Sequence, residues 1–167
     1  MPFAYYDRLS PDDQLVYRAS DLVTSLRLRG AASLTPTVAE IELALARDDL
    51  PALERAVRRL ARSLCLAFGT AAPRVEILEV RPSFTGGELH GLYTFGRGSR
   101  ATIRVWMRTA RHARVVAFRT FLRTVLHELM HHVDIQALRL PTSFHTEGFF
   151  KRESSLFRQL VPRAGAT

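Results

Sequence analysis

The chain contains His127-Glu128-Leu129-Met130-His131, two histidines four residues apart with a glutamate directly after the first. On an α-helix, positions i and i+4 lie about 40° apart around the axis and about 6 Å apart along it. Two imidazoles so placed converge on one metal ion from a single helix face. The intervening glutamate then points to the flank of that ion, where a carboxylate polarises a water without being a ligand. The chemistry this arrangement serves is hydrolysis by a metal-activated water.

The neighbouring residues agree with a helix. Phe118, Leu122, Val125, Leu126, Leu129 and Val133 fall in an apolar arc of about 100°. His127 and His131 lie on the opposite face, with Thr120, Thr124 and Asp134. The spacing is H-E-x-x-H, the zinc-metalloprotease signature. A catalytic zinc takes a third protein ligand and keeps one position open for water. His145, 14 residues after His131 and past Pro141, is the first choice, and Glu147 is its rival. Glu153 on the following helix is a further carboxylate within range, while His132 points to the other side of its helix. Asp134, one turn past His131, either accepts from an imidazole N–H or lies on the surface.

Residues 1–72 read as helices. Ser10-Pro11-Asp12-Asp13 is a strong start, with Leu15, Leu22, Val23 and Leu26 following to about Arg29. Thr37-Val38-Ala39-Glu40 reads as a capping box, and Asp48-Asp49-Leu50-Pro51 opens a third helix that Gly69 ends. Three strands are expected at 74–80, 91–95 and 101–108, then a long helix at 114–138 and a last one at 147–160. On strand 101–108, Ile103, Val105 and Met107 share one face. The order makes the fold α+β, with a three-stranded antiparallel or mixed sheet. The chain divides into an N-terminal helical segment, 1–72, and a core, 73–167.

Composition narrows the class. The chain has 167 residues, and its 47% hydrophobic content excludes a disordered chain. Cys65 is the only cysteine, which excludes a disulfide framework and a cysteine-ligated zinc site. No apolar run spans a bilayer and the first residues lack a signal-peptide layout, so a cytoplasmic protein without a membrane partner is expected. The net charge is +8. Residues 1–96 hold 11 basic and 12 acidic side chains, whereas residues 97–167 hold 13 and 4, a net of +9. The excess lies in the part that carries the histidines. It is either a solvated surface or one that meets DNA or another polyanion.

His127-Glu128-Leu129-Met130-His131, a 13-residue spacer, then His145-Thr146-Glu147-Gly148-Phe149-Phe150-Lys151 resembles the SprT-like zinc metalloproteases. The resemblance covers roughly residues 73–160 and implies a compact zincin core. It implies one catalytic Zn2+ held by His127, His131 and His145, with Glu128 as general base. It implies a protein or peptide substrate and, for this family, an association with DNA. It also implies that the strand before the motif helix, 101–108, lines the cleft as an edge strand. This chain departs from the family in having Thr146 directly after the third histidine, with Gly148 later. Gluzincins, which complete the site with a glutamate, are matched through Glu147 or Glu153. Tyr93, His90, Arg97 and Arg104 are the candidate donors to a tetrahedral intermediate. Rival readings are a nucleic-acid-binding module with a non-catalytic metal site and a non-peptide amidohydrolase.

Overall fold

Ser10 accepts the Asp13 N–H and Pro11 fills the first turn, so α1 (Pro11–Leu22) starts where the sequence places it. Its end comes at Leu22, and residues 23–28 run without helix. The structure, a computed structural model, describes residues 1–162. A 3-10 turn at Ala31–Leu34 leads straight into α2 (Thr35–Ala46), which has no side-chain cap. Helix formation therefore begins two residues ahead of the expected Thr37 box, and Glu40 pairs with Arg59 on the next helix. Asp49 caps α3 (Leu50–Ala67) by accepting from Ala52 N. That helix buries Leu53, Val57, Leu60 and Leu64 along one stripe. Each such buried side chain contributes roughly 1.5–3 kcal/mol of apolar burial.

The sheet follows. β1 (Arg74–Val80) runs parallel to β5 (Thr102–Arg108), and β4 (Gly91–Thr94) pairs with β5 in antiparallel register. The order is β1-β5-β4, a mixed sheet with β5 in the centre. A two-stranded hairpin, β2 (Ser83–Phe84) and β3 (Gly87–Glu88), stands apart, turning at Gly86 with φ 99. Ile103, Val105 and Met107 point into the core beneath α3 and α4 (Phe118–Gln136). The outer edge of β1 is closed by α3, since Glu54 accepts from Ile77 N and Arg58 donates to Val75 O. This leaves β4 as the edge beside α4. The expectation that 101–108 is the edge strand is thereby corrected: two strands flank it, and β4 takes its place.

α4 begins at Phe118, not at 114, because Val115 and Val116 pair back onto β5. It ends at Gln136, and Arg139, at φ 57, reverses the chain. α5 (Glu147–Leu160) starts at Thr146, whose hydroxyl accepts from Phe149 N. One hydrophobic core runs from Leu28 through α2, α3, the sheet and α4 to Leu160, so residues 1–72 and the remainder share it. The α+β class is observed. Among the described residues no helix is long and apolar enough to cross a membrane.

Candidate metal centre

α4 presents His127 and His131 on its cleft side, and the reversal at Arg139 and Pro141 brings the 141–146 loop back over them. His145 Nε2 lies 2.9 Å from His127 Nε2 and 3.0 Å from His131 Nε2. Among the described residues, these three form the cluster able to hold a metal ion.

The far nitrogens fix the tautomers. His127 Nδ1 meets Glu153 Oε2 at 2.9 Å, which makes Nδ1 the protonated nitrogen. His131 Nδ1 meets Ser143 Oγ at 2.8 Å, and Ser143 gives its own hydroxyl hydrogen to Asp134 Oδ2 at 2.8 Å. Ser143 therefore accepts from His131. In both rings the lone pair of Nε2 is left pointing at the common centre. Burial, then the neighbouring His127 and His145, pushes His131 down to about 3, and burial also lowers His145. Neutral imidazoles are the ligating form.

This donor set fits zinc. Tetrahedral bonds of about 2.0–2.1 Å to nitrogen separate two ligands by about 3.3 Å. The two His145 spacings are a few tenths of an ångström shorter, and all three ligand atoms lie within 4.8 Å of one another, a span one ion can bridge.

Glu128 lies beside the triad, 7% exposed. Burial raises its carboxyl to about 7, against the lowering influence of His127 and of the Tyr93 backbone N–H. The cleft extends to both sides of it. One lobe, about 530 Å³, runs along Leu92 and Tyr93 of the edge strand and Phe95 just past it to Ile135 and Pro141. The other, about 390 Å³, lies between His90, Arg123, Thr124 and Phe150.

The remaining candidates fall elsewhere. Glu147 is not drawn to the histidines; its carboxylate takes Lys151 Nζ at 2.7 Å and the Met1 amino group at 3.3 Å. Glu153 stands behind His127 rather than beside the centre. Asp134 is fully buried, so the surface alternative fails, and it reaches His131 through Ser143 rather than directly. His132 packs inward, against Tyr93 Oη at 3.1 Å and Ala71 O at 2.8 Å. Tyr93 thus spends its hydroxyl on His132 while its ring stacks on His131 at 6.2 Å. Arg104 is held by Glu76 at 2.8 Å, on the outer face of the sheet. Arg97 is exposed, and of the four proposed donors His90 and Tyr93 line the cleft.

Sequence reasoning passed over Ser143 and Gly91. A Cβ at Gly91 would lie 2.5 Å from Glu128 Oε1 and 2.9 Å from Thr124 Cγ2, so only glycine lets the edge strand come this close. A glycine opening a strand was the signal. Phe150 is 41% exposed and stacks on His145 at 5.7 Å. Comparison with protein-family models, curated proteins and solved structures found no match.

Proposed function

We propose that this protein is a zinc-dependent metallopeptidase of zincin type. The observation that supports it most is the convergence of three histidine Nε2 atoms beside a buried carboxylate, in a cleft bordered by a sheet edge. His127, His131 and His145 would hold the ion. When bound, zinc supplies Lewis acidity toward a water and toward a substrate carbonyl. Glu128, buried beside the triad, accepts the proton of the attacking water and delivers it to the leaving amine. β4, as the edge, offers backbone groups to an extended peptide. Leu92, Phe95, Ile135 and Pro141 favour an apolar side chain in the larger lobe.

The polyanion reading draws less support from charge than the count of +9 implies. Arg104 and Arg108 each face a carboxylate from outside residues 97–167, Glu76 and Asp48.

The test is cleavage of an unfolded protein by zinc-loaded wild type and Glu128→Gln at equal zinc content. Cleavage by the wild type and its loss in the variant support the reading. Equal turnover removes Glu128 as base, and no cleavage by either removes the peptidase.

A further inference from the structure

α1 turns an unexpected face inward. Leu15 and Leu22 are 63% and 83% exposed, whereas Tyr17 and Ser20 are buried. The surface that receives this face is polar, and it belongs to the loop and helix that carry His145. Ser20 Oγ lies 3.4 Å from Thr146 Oγ1, on the residue after His145. Asp21 Oδ1 accepts the Gly148 N–H at 2.7 Å, satisfying a free donor in the first turn of α5. A Cβ on Gly148 would sit 2.7 Å from the Asp21 Cα and closer still to its carbonyl oxygen. The contact is therefore backbone against backbone. Ahead of α1, Tyr5 donates its hydroxyl to the carbonyl of His145 itself at 2.8 Å.

A second line runs through the interior. Arg152 donates to Ser20 O and Val23 O, both at 2.6 Å, where the negative end of the α1 dipole meets its charge. The same guanidinium donates to Asp134 at 2.8 Å, and neither side chain is exposed. A buried charge of this kind is tolerated only with its partners in place. Asp134 then holds Ser143, and Ser143 holds the far nitrogen of His131.

We propose that Tyr5 and the end of α1, Ser20 to Val23, brace the metal centre. Tyr5 and the end of α1 fix the turn that carries His145, and Arg152 passes the position of α1 through Asp134 and Ser143 to His131. The inference rests on the metal-site reading above. Its physical content is preorganisation. His145 stands on an exposed loop, and a loop fastened before the ion arrives gives up less entropy when it binds. Tyr5, Ser20, Asp21, Ser143 and Arg152 are positioning residues under this account.

Zinc affinity of the full chain, measured by chelator competition, tests it, with the visible spectrum of the Co2+-substituted protein as a geometric readout. Tyr5→Phe deletes one hydroxyl, and Gly148→Ala forces α1 from α5. Tyr6→Phe alters the same aromatic cluster away from the His145 turn and serves as control. Loss of a partner behind a ligand weakens metal binding on the order of 10–100-fold. Such a loss in Tyr5→Phe and Gly148→Ala, with a changed Co2+ spectrum and Tyr6→Phe unaltered, supports the brace. A merely structural contact would lower the melting point of the metal-free protein and leave affinity unchanged. That result, in a wild type that binds zinc, overturns the brace alone. A wild type that takes no zinc overturns the metal-site reading and the brace with it. Should Gly148→Ala fail to fold, Tyr5→Phe decides by the same criterion.

Discussion

Gly91 and Glu128 stand so close that a methyl group on the first would lie 2.5 Å from Oε1 of the second. The edge strand and the motif helix therefore meet at the carboxylate assigned as base. Gly91→Ala is expected to push that carboxylate aside while His127 and His131, held by Glu153 and Ser143, stay in place. Displacement by about 1 Å costs on the order of 10²-fold in rate. Turnover should fall by about that much with zinc content unchanged. A variant of wild-type turnover would show that Glu128 is not so constrained.

Glu153 accepts from His127 Nδ1 at 2.9 Å, holding the ring and its tautomer. Glu153→Gln replaces the charged acceptor with a neutral one. Zinc affinity should fall roughly 10–100-fold. Chelator competition measures this, and an unchanged affinity would mean that the His127 ring is positioned by its packing against Phe149 instead.

Tyr93 gives its hydroxyl to His132, and burial raises its pKa to about 12, so it stays neutral. Tyr93→Phe should cost about 1 kcal/mol of stability, the worth of one hydrogen bond. Its effect on kcat should fall well short of the roughly 10²–10³-fold loss that follows removal of an oxyanion donor. A loss of that size would restore Tyr93 as the donor.

Glu128 titrates at about 7 in the folded chain, whereas an ordinary glutamate does so at 4.5. Between these values the folded state holds more protons than the unfolded one. The Glu128 contribution to stability is therefore full below about 4.5 and is lost as pH rises toward 7. In metal-free protein, Glu128→Gln should gain in melting temperature relative to wild type across that window, and the difference should level off above it. A flat difference would contradict the burial of the charge.

The pair on α4 was legible because its logic is local: residues i and i+4 share a helix face wherever that helix packs. His145 was legible as the histidine past the Pro141 break. The supporting groups were not, because each depends on tertiary placement. Ser143 meets His131 only after the reversal at Arg139, and Glu153 meets His127 across two helices. The edge strand was misassigned because strand order is not written in strand pattern; 102–108 and 91–94 both alternate, and only pairing puts the latter outside. The inner face of α1 was missed for a related reason. Its leucines mark an apolar stripe, but its docking surface offers Arg152, Thr146 and a glycine, so Ser20 and Tyr17 turn inward.

X-ray scattering at the zinc edge from crystals of the purified protein tests the central claim most directly. The account predicts one anomalous peak per chain, about 2.0–2.1 Å from Nε2 of His127, His131 and His145, with Glu128 beside it and no bond to Glu147 or Glu153. No peak, or a peak held by any other set of side chains, would contradict it.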